Sequence, residues 1–266
     1  MSDHIRLSFY LDEPVFSEGQ VVALEALIAE YLPNWGDTYR LSEDDAKYGS
    51  VRKIPTESLF DALNKHFPVK WGQSSAVLSG DNDRVVIFLD TSKSTVPPEL
   101  NSIGVEIVDA RKVNGKRVTA WAEGFFLQAV ERLSVRYGCG YDKREFEAKN
   151  LARDDSGISA VGVRLGAAIP GLYWMNFFGA SYVDMIGSDR FSFLPAGSAA
   201  HTTRGVLIKL GENPEEWQTP EYKSAERQII EHLGSQYFFD RDDPEKATRA
   251  PGFKRPLVPG LKKLGS

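Results

Sequence analysis

The stretch GLYWMNFFG, Gly171–Gly179, decides how the rest of the chain is read. It crowds Tyr173, Trp174, Phe177 and Phe178 around a single amide, Asn176. Strand alternation puts Leu172, Trp174, Asn176 and Phe178 on one face and Tyr173, Met175 and Phe177 on the other. A strand that is apolar on both faces belongs inside a sheet that is covered on both sides. An amide buried there needs partners, and capping a turn at Gly179 would supply them. The next residues, Ser181 to Ile186, read as a short helix closed by Gly187.

Working outward, period-2 and period-3.6 patterns are mixed without regular alternation. HIRLSFYL, residues 4–11, is a half-buried strand with Ile5, Leu7, Phe9 and Leu11 on one side. Ser17 and Gln20 have capping-box spacing, and Val21, Leu24, Ile28 and Tyr31 follow as a helix that Pro33 stops. Thr56 is the expected N-cap of a helix carrying Leu59, Phe60, Leu63 and Phe67. RVVIFLD, Arg84–Asp90, predicts a central strand covered on both faces, and IGVEIVD, Ile103–Asp109, an alternating one. The run from Lys116 to Gly138 is the strongest helical pattern, with Trp121, Phe125, Ala129, Leu133 and Tyr137 on one face and Gly138 as its end. Strands are expected at Ile158–Leu165, Arg190–Leu194, Gly205–Leu210 and Gln236–Phe239. Thr219-Pro220 announces a helix that runs to Gly234.

These patterns predict an α+β fold, a mixed and mainly antiparallel sheet with helices packed on it. One domain is expected over 1–248, with a subdomain boundary near 110–155 as the alternative division. Residues 249–266 form a Pro-containing arm with five Lys or Arg and no acid. That arm either completes a homodimer or folds back on its own acidic body.

Of the 266 residues 42% are hydrophobic and 26% charged, which is ordinary globular usage. The formal charge of −5 argues against general nucleic-acid binding, where clustered cations must neutralise phosphates. The N-terminus lacks the basic start and apolar run of a signal peptide. No window approaches the roughly 18 uninterrupted apolar residues of a membrane helix. A cytoplasmic protein is expected.

Motifs for catalysis are sparse. Cys139 is the single cysteine, too few for a disulfide or a multi-cysteine zinc site. The four histidines are scattered, and neither GxSxG nor HExxH occurs. Gly138 and Gly140 form GxG without the strand–turn–helix context of a dinucleotide site. No metal and no cofactor are expected. One E-x-K step, Glu147 and Lys149 with Asp142 upstream, has the residue types of a metal-dependent nuclease, where acids hold Mg²⁺ and lysine assists water. KREFEAKN also reads as a solvated helix face with a Glu145–Lys149 pair at i,i+4.

The segment Gly171–Gly187 resembles bacterial toxin-immunity proteins, closest to the immunity protein 52 family. Tyr173, Trp174, Asn176, Phe177, Gly179, Tyr182, Asp184 and Gly187 carry the resemblance. It implies an α+β protein without catalytic residues that binds and neutralises a cognate toxin of a type VI secretion or related polymorphic toxin system. A nuclease toxin presents a basic site, so acidic loops are the expected contacts: Glu43, Asp44, Asp45, Asp81, Asp83, Asp154, Asp155, Asp240, Asp242 and Asp243. The aromatic segment itself is expected to be structural. The alternative is a nuclease or phosphodiesterase using Asp142, Glu147 and Lys149.

Overall fold

A computed structural model describes residues 4–35, 40–42, 58–67, 73–79, 84–92, 101–108, 112–154 and 157–251. The chain opens with strand β1 (Ile5–Leu11) and helix α1 (Glu18–Tyr31). Strand β2 (Arg40–Ser42), helix α2 (Leu59–His66) and strands β3 (Gln73–Ser79), β4 (Val85–Ser92) and β5 (Ser102–Ile107) follow. A tight hairpin, β6 (Lys112–Val113) and β7 (Lys116–Arg117), leads into α3 (Val118–Arg132). Next come β8 (Val135–Asp142), α4 (Lys143–Asn150) and a hairpin of β9 (Leu151–Asp154) and β10 (Gly157–Ala160). The last part holds β11 (Met175–Gly179), α5 (Ala180–Ile186), α6 (Ser188–Ser192), β12 (Ser198–His201), β13 (Gly205–Lys209) and α7 (Pro220–Leu233).

Nine strands form one sheet in the order β12-β13-β11-β8-β1-β5-β4-β3-β2. Every neighbouring pair is antiparallel. The fold is therefore α+β, as the patterning predicts. The first and second halves of the chain meet at β1 and β8, whose register runs from Ile5 opposite Asp142 to Leu11 opposite Val135.

The two faces of the sheet carry separate cores. One face buries Leu7, Phe9, Ile87, Val105 and Phe177 against α1, α2 and α3, with Trp121, Phe125 and Phe126 supplied by α3. The other buries Tyr137, Cys139, Tyr141, Phe178 and Ile208 against Tyr182, Phe191, Tyr222 and Ile229. β8, β11 and β13 contribute buried side chains to both cores.

Several sequence expectations change. β4 is covered on one face only: Val85, Ile87 and Leu89 are buried while Val86 and Phe88 are half-buried. Its apolar run therefore overstates its burial. The helix expected to run to Gly138 stops at Arg132, and Leu133 already has an extended ψ of 156°. Residues 135–142 form β8, buried at every position. Gly138 does not end a helix; it makes room. A Cβ there would lie 3.2 Å from Phe126 and 3.4 Å from Phe9, the rings that α3 and β1 bring together. Helical spacing persisted across the boundary because Tyr137 is apolar for the opposite core. Arg190–Leu194 is helical through Ser192 instead of a strand. The strand expected over Ile158–Leu165 is confined to Gly157–Ala160. In place of the strand expected at Gln236–Phe239, a 3-10 turn spans Ser235–Tyr237 and Phe238 makes a single bridge to Ile169.

Capping also differs in detail. Ser17 sits at the N-cap of α1 but makes no side-chain cap bond. Gln20 instead bridges elsewhere, donating to Glu13 at 3.1 Å and accepting from the Ser134 N–H at 3.1 Å. The α2 cap is Ser58, which accepts from the Asp61 N–H; Thr56 lies outside the described residues.

Candidate functional site

The aromatic segment that decides the fold is a buried hub. Asn176 accepts from the Tyr173 N–H at 2.9 Å and donates to the Tyr173 carbonyl at 2.7 Å. It therefore closes the turn that enters β11, three residues before the Gly179 turn it was expected to cap. That turn breaks the alternation: Trp174 joins Met175 and Phe177 on the α3 side, while Leu172, Tyr173 and Phe178 join the opposite core. The Trp174 indole donates to the Gly211 carbonyl at 3.1 Å, and the Tyr173 hydroxyl donates to Asn150. Gly179 is required by backbone packing, because a Cβ would meet the Arg136 carbonyl at 2.7 Å. Tyr182 is fully buried and Gly187 has φ 102°. Asp184 alone among these residues is exposed, on α5.

Beneath this hub lies an ionic node that joins α4 to α7. Lys149 Nζ donates to Glu145 Oε1 at 2.7 Å, to Glu226 Oε1 at 2.7 Å and to the Leu172 carbonyl at 2.6 Å. All three ammonium hydrogens are thus used. The ammonium also stands 5.0 Å from the Tyr173 ring centroid. Tyr222 donates its hydroxyl to Glu145 Oε1 at 3.1 Å. Glu145 is 0% exposed, and its second oxygen has no hydrogen-bond partner. Burial pushes its carboxyl up to about 7, against the pull of Lys149. Burial draws Lys149 down, but Glu145 and Glu226 more than offset this and leave it raised.

The solvated-face reading of KREFEAKN is therefore corrected. The i,i+4 pair exists, but α7 covers it. Spacing reveals which residues on a helix are neighbours, not what packs over them. Tyr222 reads from sequence as part of the apolar stripe of its helix, with Ala225, Ile229 and Leu233, but Glu226 was not singled out, because a glutamate on an amphipathic helix carries no local mark of burial. α7 is capped by Thr219, whose hydroxyl accepts from the Tyr222 N–H at 3.2 Å. Thr219→Ala is expected to cost about 1 kcal/mol in equilibrium urea unfolding. An unchanged midpoint would remove the cap from the account of α7.

The nuclease residues do not assemble. Asp142 is the N-cap of α4 and 1% exposed; it accepts from the Arg144 N–H at 2.9 Å and from the Arg144 guanidinium at 3.0 and 2.8 Å. Glu147 is exposed, while Lys149, two residues on, turns inward to the node. Among the described residues no group of three or more His, Cys, Asp or Glu is placed to hold a metal ion. Cys139 is buried, and burial pushes its thiol well above the ordinary range.

One cleft brings sequence candidates together. It has a volume of 660 Å³, and its walls include Lys149, Gly171, Glu226, Phe238, Asp240 and Asp242. Asp240 organises the rim, accepting from the Asp242 N–H at 3.0 Å and from Lys246 Nζ at 2.9 Å. The Lys246 ammonium holds its carboxyl below the usual range. Arg241 pins the rim to α4 by donating to the Ala148 carbonyl at 2.9 Å. Asp242 and Asp243 project exposed from this braced loop. Of the other expected contacts, Glu43, Asp44, Asp45, Asp81, Asp83 and Asp155 lie outside the described residues, and Asp154 is described only as backbone of β9.

No family model matches the chain, and no curated protein matches it. Among solved structures it is similar to a Pseudomonas aeruginosa T6SS protein, with a TM-score of 0.56 and 12% identity. The match covers 86% of this chain and 75% of the other. At that identity the likeness shows a common fold. No helix among the described residues is long and apolar enough to cross a membrane.

Proposed function

We propose that this chain is an immunity protein that binds a cognate secreted toxin, of nuclease type, and neutralises it. The observation that carries the reading is the fold it has in common with a T6SS protein over 86% of its length. The resemblance of Gly171–Gly187 to immunity proteins supports the same reading from an independent direction. In this reading T6SS denotes the type VI secretion system, and the chain protects the cell that makes it by association alone.

The contact surface fits the acidic rim of the cleft. Asp242 and Asp243 stand out from a loop held by Asp240, Lys246 and Arg241, so their charge is presented on a loop that is already ordered, which lowers the cost of binding. Exposed carboxylates facing a basic, phosphate-binding partner speed association and compete with nucleic acid.

The test is co-expression with the protein encoded by the adjacent gene. Cells are expected to survive, and the two chains are expected to elute together on a sizing column. Asp242→Asn with Asp243→Asn is expected to slow association several-fold at low salt, with the difference shrinking as salt rises. Undiminished killing with no complex would overturn the reading.

A further inference from the structure

Among the described residues the sheet ends at β12, and no strand pairs with its outer side. β12 pairs with β13 alone, through Ser198–Lys209, Ala199–Ile208, Ala200–Leu207 and His201–Val206. All four β12 residues are exposed. In an antiparallel ladder alternate residues direct both N–H and C=O to one side, so half of this strand's polar groups face outward. Edges of this kind are usually blunted by a lysine, a proline or a bulge. β12 is short, at four residues, but Ser-Ala-Ala-His contains no lysine or proline and its register is regular. Its small side chains leave the backbone open to approach.

The edge is held rigid where it turns. Thr202 Oγ1 accepts from the Arg204 and Gly205 N–H groups, both at 3.1 Å. Arg204 donates to the Leu133 carbonyl at 3.0 Å, and Thr203 donates to Glu131 at 2.7 Å. A groove of 500 Å³ opens at this end of the strand, with Asp12, Ser134, Asp184, His201 and Thr202 among its walls. Asp12 is neutralised by Arg136 at 2.5 Å. Asp184 is exposed and makes no ion pair among the described residues. Ser134 Oγ is buried in the wall without a hydrogen-bond partner. The groove thus offers one unpaired carboxylate, Asp184, beside an open strand edge, while Arg204 in the same wall is held on the Leu133 carbonyl.

We propose that β12 is a docking edge, extended by a strand of the partner toxin whose basic side chain enters the groove and pairs with Asp184. Main-chain hydrogen bonds supply the attachment and the groove supplies the selectivity, as in strand addition generally. The identity of the partner rests on the immunity reading; the geometry of the edge does not.

Hydrogen exchange on the full chain, with and without the catalytically inactivated product of the adjacent gene, tests it. Within residues 198–201 the outward-facing amides are expected to exchange at least tenfold more slowly in the complex. Ala199→Pro and Ala200→Pro form an internally controlled pair. One removes an N–H from the β13 ladder and lowers the melting temperature. The other removes an outward N–H, keeps the wild-type melting curve and is expected to weaken binding at least tenfold. Asp184→Asn is expected to weaken binding several-fold without changing stability. If the complex forms while β12 exchange is unchanged and Asp184→Asn binds like the parent, the docking edge is wrong and the immunity reading stands. If no complex forms, both fall.

Discussion

Lys149→Met is expected to destabilise the chain by about 3–5 kcal/mol at pH 8, the range for removing one partner of a buried ion pair. The reason lies in what the ammonium leaves behind. Glu145 and Glu226 both point at its nitrogen from 2.7 Å, and Glu145 has no access to water. Without the lysine the buried Glu145 carboxylate is left facing Glu226 with no cation between them, and the Leu172 carbonyl loses its donor. Methionine fills the volume, so the loss reads charge more than packing.

The pH dependence gives the same claim a second handle. The Glu145 carboxyl is pushed up to about 7 in the folded chain, from 4.5. A raised acid binds more protons folded than unfolded between those values. Its contribution to stability is full below about 4.5 and is lost as pH rises through 7, about 3 kcal/mol in all. The raised Lys149 works higher: its contribution is present below 10.5 and lost only above that. Glu145→Gln is therefore expected to flatten the urea midpoint between pH 4.5 and 7. In Lys149→Met the deficit is expected to shrink as pH falls to 5, because protonation neutralises Glu145. A deficit independent of pH would mean that the carboxylates are not its source.

The node also shows where sequence legibility stops. Elements with one clean period were readable: β1, α1, α7 with its Thr219-Pro220 start, and the α5 helix closed by Gly187. Where one run serves two cores, periodicity misleads. Leu133 packs with the α3 core while Tyr137 packs on the far side of the sheet, yet their spacing is helical. Burial of charge was illegible for a related reason. Glu145 and Lys149 look like a surface pair until α7, some seventy-seven positions later in the chain at Tyr222–Glu226, closes over them. Of the acidic surface, Asp240 illustrates a third limit. Its neighbours Asp242 and Lys246 turn it into a brace for the loop, a role that composition alone cannot assign.

Asn176 gives the second large effect and tests what the aromatic segment is for. Asn176→Ala removes both partners of Tyr173, leaving a buried N–H and a buried carbonyl unsatisfied. Each orphaned group costs about 1–3 kcal/mol, so a loss of about 2–6 kcal/mol is expected. Asn176→Asp is expected to be worse at neutral pH. It keeps an acceptor for the Tyr173 N–H but sets a lone pair against the Tyr173 carbonyl and buries a charge. Acid should partly restore it, because a protonated carboxyl can donate where the amide did. Both variants should still bind the partner once folded, since Asn176 is 0% exposed and its two bonds stay within the turn. Unfolding curves and binding at a temperature below both melts separate the cases. If Asn176→Ala leaves stability within 0.5 kcal/mol, about the scatter of a surface change, yet abolishes partner binding, the segment is a contact surface and its assignment to the core fails. Loss of stability with affinity retained makes Gly171–Gly187 the frame that holds β11, α5 and the ionic node in register, while recognition falls to the exposed acidic rim or to the β12 edge.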